Sequence, residues 1–541
     1  MKTKHILYGV LLAMVFALSI FRITDNDVWW HLKTGEYILK NLTIPSTDIF
    51  SYTIYGKPWL AFEWLAQTLL YCVYWASGLS GLTVFKALAA SLIFFIVLRS
   101  CKERNPYINA AIAALAFLVL RDGLRERPQL FTYFFAAAYT YEFRKKTKPL
   151  FVIPLMQVFW ANMHGPASLI GVGLTALYVM FDEALNAERK AVLFFGTAAA
   201  AFITPHGYKI FEYFIIFFRD GFNRLILEYH PPALSVSYIP YCVFLILAGV
   251  VFVKLLVDFF SSGGKDTESF RDALIVLFGA AGSLAAIRNI PVFVLISLPA
   301  VCGALAGMKD RLKVPGRLHG NPLFPYIFGV VLAAVLWAGA KAFDAAGKYS
   351  FGLGDAHRAR YAADFMKRNG IKGPLFNDYD IGGYLIWKFY PDEKVFIDGR
   401  LVEYGAKFVE QSFYFWNPEI WNKLEKEYGF TAAIIPQESY YSCKVLDERK
   451  DWILVYWDDG ALIYLKDVPA NKKLIKNYGC RFIRPNYPGN CEYLKQYPYW
   501  MVREEARLSF NLAPHSLRAK ALKDWVYAQE RTKTEDGRRK K

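Results

Sequence analysis

The 541-residue sequence contains no Walker phosphate loop, no GxGxxG, no HExxH and no CxxC pair. ATP-driven transport and a Rossmann cofactor site therefore have no sequence support. Cysteine is scarce, with 7 residues. Cys72, Cys101, Cys242 and Cys302 fall in or beside apolar runs, where a small packing residue is the simplest reading. Charge is thin as well: 21% of residues are charged against 55% hydrophobic and 17% aromatic, with a mean hydropathy of +0.20. So few charges do not cover the surface of an ordinary soluble protein of this length. They are sparse up to about Phe343 and dense afterwards, so a membrane part precedes a soluble part.

The net charge of +17 does not point to nucleic acid. Much of the excess sits in short clusters between apolar runs, such as Arg144-Lys145-Lys146 and residues 309–317, which read as cytoplasmic anchors. The terminal Arg538-Arg539-Lys540-Lys541 reads as a solvated tail. The first apolar run, residues 6–21, follows Lys2 and Lys4. Ala17-x-Ser19 loosely fits a signal cleavage site, but the run continues through Ile20 and Phe21, which favours a retained helix with a cytoplasmic N-terminus. Residues 81–98 and runs starting near Pro106, Gln129, Pro149, Pro166, Lys190, Tyr238, Arg271, Ile290 and Leu323 bring the expected spans to about eleven. Residues 64–75 are short for a span and are expected not to cross. Alternation puts residues 144–148, 189–190, 265 and 309–317 inside, and residues 22–62, 205–237 and everything after Lys341 outside.

The expected fold class is mainly α, a polytopic transmembrane bundle with a C-terminal soluble α/β domain. Residues 1–345 form the membrane domain, with its first outer loop at 22–62. Residues 346–497 form the extracytoplasmic domain, and residues 498–541 a helical tail with a basic end. In the soluble part, strands are expected at 374–376, 395–397, 432–435, 453–456 and 461–465. Helices are expected at 358–369 (closed by Gly370), 381–389, 404–413, 419–428 and within 504–531. In an oxidising compartment Cys480 and Cys491, flanking a Pro/Gly/Asn-rich stretch, are expected to pair, leaving Cys443 free.

The densest chemistry follows the first helix: Thr24-Asp25-Asn26-Asp27-Val28-Trp29-Trp30-His31-Leu32. An interfacial belt accounts for the tryptophans but says little about the paired acids beside them, so a functional role is favoured. The loop goes on through Pro45-Ser46-Thr47-Asp48-Ile49-Phe50-Ser51, Gly56-Lys57-Pro58-Trp59 and Glu63-Trp64.

Taken together, these segments resemble the GT-C superfamily of polytopic glycosyltransferases, in particular bacterial relatives of the protein mannosyltransferase and aminoarabinose transferase type. The resemblance spans the roughly 350-residue membrane part in architecture, while its motifs occupy mainly residues 25–64. It implies transfer of a sugar from a polyprenyl-phosphate donor to a protein, lipid or glycan acceptor on the outer face of a bacterial inner membrane. Asp25 or Asp27 is then the general base, and the spacing does not decide which. The departing phosphate needs cations or a metal. Metal dependence varies across the superfamily, and the acid pair with His31 leaves room for a divalent ion.

Trp29, Trp30 and His31 are candidate substrate contacts, with Lys57 and Glu63 further along the loop. Arg121, Arg125 and Arg127 flank Gly123, and pairing with Asp122 and Glu126 is their bland alternative. Arg125, Arg127 and Arg288 suit bidentate phosphate contacts. His164 ends a span on the same face, although a lone histidine is more often structural. Residues 377–384 (NDYDIGGY) and 396–400 (FIDGR) in the outer domain suit acceptor binding or, slightly better, plain turns. Two rival functions remain: a transporter or flippase for lipid-linked sugars, whose charges would sit near midspan, and a non-catalytic envelope-assembly protein.

Overall fold

The computed structural model describes residues 2–102, 105–145, 149–233, 235–311, 323–342, 351–353, 357–437, 440–486 and 490–539. Residues 146–148, 312–317, 345–346 and 540–541, which carry parts of the expected loops, boundary and tail, lie outside them. The chain divides into two compact units. The first comprises residues 1–24, 34–44 and 60–355; the second comprises residues 25–33, 45–59 and 356–541.

The first unit is helical. Its elements are α1 (Lys2–Leu18), the end of α2 (Val28–Asn41), α3 (Trp64–Ser100), α4 (Pro106–Leu120), α5 (Gln129–Phe143), α6 (Val152–Met163), α7 (Leu169–Met180) and α8 (Ala187–Ala200). They continue with α9 (Lys209–Arg219), α10 (Phe222–Leu225), α11 (Ile239–Ser261), α12 (Thr267–Ala285), α13 (Ile290–Arg311) and α14 (Phe324–Ala342). Among the described residues five stretches are long and apolar enough to cross a membrane: Trp64–Ser100, Pro106–Gly123, Val236–Ser261, Ile287–Met308 and Phe324–Ala342. The apolar helices at Thr3–Leu18, Val152–Met163 and Pro166–Met180 are shorter.

The run at 64–75 is not a separate interfacial piece. It continues into the next span, kinked at Gly78, whose φ of 65° is left-handed and suits a residue without a Cβ. α13 lies deepest, with Val294, Leu295, Leu298, Val301 and Cys302 all fully buried. It packs on α12, α4, α11 and α5.

The second unit is built on a four-stranded sheet, β1 (Leu375–Asn377), β2 (Ala432–Pro436), β3 (Trp452–Trp457) and β4 (Ala461–Lys466), in the order β1-β2-β4-β3. β1 and β2 are parallel, and the other pairs are antiparallel. Every residue of β2, the strand between β1 and β4, is buried, as its unbroken apolar run requires. The helices α15 (Arg360–Arg368), α16 (Tyr379–Phe389), α17 (Leu401–Tyr404), α18 (Ala406–Phe413) and α19 (Pro418–Tyr428) follow the expected pattern. Gly405, at φ 81°, divides the expected 404–413 helix. The tail forms two helices, Tyr499–Leu512 and Leu517–Arg539, which pack on each other.

Two expectations fail here. Residues 395–397 are not a sheet strand, because the Asn377 side chain occupies the place of a neighbouring strand. It accepts from Phe396 N at 2.8 Å and donates to Ile397 O at 2.8 Å. Val395 bonds instead to the 45–59 segment, donating to Phe50 O and accepting from Tyr52 N, each at 3.1 Å. Cys480 and Cys491 are not joined, and both thiols are free. Cys480 is buried, bridged through its backbone to Leu454, with its Sγ turned to Ser509 Oγ at 3.6 Å.

Candidate active site

The acid pair lies at the N-terminus of α2, where partial positive charge from unpaired amides favours carboxylates. Asp25 is 4% exposed, and its Oδ1 accepts from Asp27 N at 2.9 Å. Asp27 Oδ1 accepts from the Trp30 indole at 3.3 Å. Trp30 in turn lies against His31, with ring centres 3.8 Å apart. Trp29, 1% exposed, meets Tyr384 edge-on at 4.8 Å and His357 at 6.0 Å. Both tryptophans are thus packed away from solvent, Trp29 against Tyr384 and His357 and Trp30 against Asp27 and His31, and they present no open face for a sugar. His357, stacked on Tyr384 at 4.2 Å, is lowered to about 3 by burial and by neighbouring Arg358, so its ring is neutral.

The glycines of the two outer-domain motifs explain themselves here. A Cβ on Gly383 would stand 2.7 Å from Asn26 O, and one on Gly399 would overlap the Asp27 carboxylate and lie 2.9 Å from Trp30 Nε1. The motifs at 377–384 and 396–400 therefore form the bed on which residues 25–30 rest.

The same bed carries a buried ionic network that sequence reading missed. Arg400 Nη2 lies 2.6 Å from both Asp48 Oδ1 and Asp398 Oδ2, with all three side chains at most 2% exposed. Tyr404 OH donates to Asp398 at 2.7 Å. Asp48 also accepts from Ser51 N and Oγ, at 3.1 and 2.8 Å. The guanidinium lies over the rings of Trp59 at 4.5 Å and Phe50 at 5.2 Å. The network brings Asp48, Phe50, Ser51 and Trp59 of the first loop together around Arg400. Lys57 stands exposed on the turn beside Gly56.

In the first unit, Glu63, Arg127, His164 and Arg288 share one electrostatic neighbourhood. His164 Nε2 is 3.6 Å from Glu63 Oε1, and its Nδ1 shares a hydrogen with Thr132 Oγ1 at 2.6 Å. Burial, reinforced by Arg288 and Arg127, lowers His164 to about 3. Arg127 bonds to Glu228 at 2.7 Å and Gln129 at 3.1 Å, while Arg288 lies over Tyr229 at 4.2 Å. Arg125 turns back on Asp122, donating to its carboxylate at 3.1 Å and its carbonyl at 2.9 Å.

The other expected acid, Glu126, has a partner on α3. It pairs at 2.8 Å with Lys86, and both side chains are at most 1% exposed. Arg121 is tied to Ala340 O at 2.6 Å. Lys86 was the available signal, because a lysine inside an apolar span is costly without a partner.

No protein-family model matches the chain, and no curated protein matches it. Solved structures do. The archaeal oligosaccharyltransferase AglB from Archaeoglobus fulgidus, in complex with an inhibitory peptide and a dolichol-phosphate, aligns with a TM-score of 0.55 at 12% identity. That alignment covers 96% of this chain and 86% of the other. The Archaeoglobus fulgidus oligosaccharyltransferase complex with Zn and sulfate aligns at 0.50 and 13% identity, over 97% and 85%. ArnT from Cupriavidus metallidurans in the apo state gives 0.48 and 13% identity, over 85% and 97%. The chain has the GT-C fold.

On this GT-C fold the expected residues fall into two groups. Asp25, Asp27, Trp29, Trp30 and His31 gather in the second unit, which also holds Lys57; Glu63, Arg125, Arg127, His164 and Arg288 belong to the first. Carboxylates such as those of the first group can accept a proton. The arginines of the second are able to hold an anion, and neutral His164 to exchange a hydrogen bond. Among the described residues no group of three or more His, Cys, Asp or Glu side chains is gathered as a metal-ligand set.

Proposed function

We propose that this protein is a membrane glycosyltransferase that moves a sugar from a polyprenyl-phosphate donor to a protein, lipid or glycan acceptor at the outer face of a bacterial inner membrane. The N-terminus is cytoplasmic, the chain crosses about eleven times by its apolar runs, and the region after residue 341 is extracytoplasmic. The observation that carries the reading is the acid pair: on a GT-C fold, Asp25 and Asp27 are held at a helix N-terminus by a bed of glycine contacts and packed indoles.

One of the two carboxylates takes the proton of the acceptor hydroxyl as the new glycosidic bond forms. The bond from the anomeric carbon to the donor phosphate breaks, and the phosphate leaves with that electron pair. Arg127 and Arg288, with Arg125, stabilise the phosphate. Its likeness to a structure holding dolichol-phosphate and a peptide supports a lipid-phosphate donor.

The test is transfer of label from radiolabelled polyprenyl-phosphate sugars into membrane extracts by the purified full-length chain. Asp25→Asn or Asp27→Asn should lower turnover about 100- to 10,000-fold with insertion intact. Wild-type rates in both well-inserted variants would sink the assignment.

A further inference from the structure

α3 runs from beside Glu63 to Ser100, and α5 from beside Arg127 to Phe143. The far ends of these two helices line a separate cavity of about 550 Å³, remote from Glu63 and Arg127. The 15 residues of α5 alone separate its two ends by about 22 Å. Arg99, Lys102, Arg144, Lys145 and Arg271 line this cavity, against the acids Asp182, Glu183 and Glu268. The lining is therefore positive on balance.

Its floor is more specific than a basic surface. Arg144 Nη2 and Arg271 Nη2 both bond to one carboxylate, Asp272, each at 2.9 Å. All three side chains are at most 10% exposed. The two guanidiniums share one buried carboxylate, and Glu268 is divided between Arg271 at 3.6 Å and Lys102 at 3.1 Å, so among these groups cations outnumber acids in a largely dehydrated place, which is costly unless an anion approaches. Arg144 Nε is buried with no acceptor among the described residues. Arg271 lies over the Tyr178 ring at 4.8 Å, and Glu268 reaches it only at 3.6 Å. Tyr141, Phe143 and Phe181 add aromatic surface to the wall, suited to the apolar part of a larger molecule.

We propose that this cavity binds a phosphate group, carried by an anionic lipid headgroup or free in solution, between Arg144 and Arg271, with Arg99, Lys102 and Lys145 at its mouth. A planar guanidinium offers paired donors that match phosphate oxygens, and the size suits a small ligand. The site is independent of glycosyl transfer and stands at the opposite end of α3 and α5 from the arginines assigned to the donor.

The experiment compares thermal unfolding of the full chain in phosphatidylcholine nanodiscs with and without phosphatidylglycerol, and in detergent with inorganic phosphate or chloride at equal ionic strength. Phosphatidylglycerol, phosphate or both should raise the Tm. A rise with the lipid alone identifies a headgroup; an equal rise with phosphate identifies the free anion. Arg144→Gln should weaken the apparent affinity about tenfold or more. Because that variant touches a buried pair, Lys145→Gln, at the half-exposed mouth where Lys145 pairs with Glu142 at 2.6 Å, serves as a second with a smaller loss. No rise in the wild type, or the same rise in both variants, overturns the proposal.

Discussion

Replacing Gly399 by alanine isolates the position of one carboxylate. Gly399 is not left-handed, since it is absent from the positive-φ glycines, so alanine's backbone is unstrained there and only space matters. The added methyl would overlap the Asp27 carboxylate and stand 2.9 Å from Trp30 Nε1. The indole is 7% exposed and rigid, so the freer carboxylate must give way. Restoring an ordinary contact of about 3.5 Å moves it by roughly 1 Å. A displacement of that size near reacting atoms typically costs about 100-fold in rate, while overpacking one methyl costs about 1–3 kcal/mol of stability. Sugar transfer and Tm are measured together on the purified chain. The expected result is a small fall in Tm with a rate loss near two orders of magnitude. A Gly399→Ala protein of nearly normal Tm that transfers sugar at the wild-type rate would refute the reasoning, because the Asp27 position would then not matter.

Arg400→Met leaves Asp48 and Asp398 buried without their cation and should destabilise the protein by about 3–5 kcal/mol, read as a lower Tm and faster proteolysis after residue 356. His357 is neutral when folded and carries a pKa of about 3 against 6.5 in the open chain. The open chain therefore binds the extra proton first: the stability is whole above pH 6.5 and falls by about 1.4 kcal/mol per pH unit below it. Melting curves at pH 6.5 and pH 5 should show this fall, and His357→Gln should flatten it. Lys86→Met alone strands Glu126 in the membrane unit, at a cost of about 3–5 kcal/mol. Lys86→Met with Glu126→Gln should recover most of that, and a double-mutant cycle showing no coupling would mean the pair is not formed.

Much of the architecture is legible in the sequence because its causes are local. Long apolar runs such as residues 236–261 and 287–308 leave a helix as the form that satisfies its own backbone in lipid. The buried strands at 432–436 and 461–466 are short, β-rich and bounded by breakers, and Asp25 and Asp27 stand out as paired acids at a helix start. What the sequence leaves open depends on partners far along the chain. Asp48 meets Arg400 across some 350 positions of sequence, and Glu126 finds Lys86 on another helix. Asn377 stands in for a strand, which removes residues 395–397 from the sheet. Cys480 faces Ser509 instead of Cys491. Each is a choice between chemically similar neighbours, and burial decides it: a charge, amide or thiol removed from water bonds to whatever the packed fold brings within reach. The sequence by itself determined the kinds of element and the chemistry at the start of α2. Only the tertiary structure decided that residues 25–33 and 45–59 fold with the C-terminal unit, because that assignment rests on long-range contacts with Tyr384, Gly399 and Arg400 that no local pattern encodes.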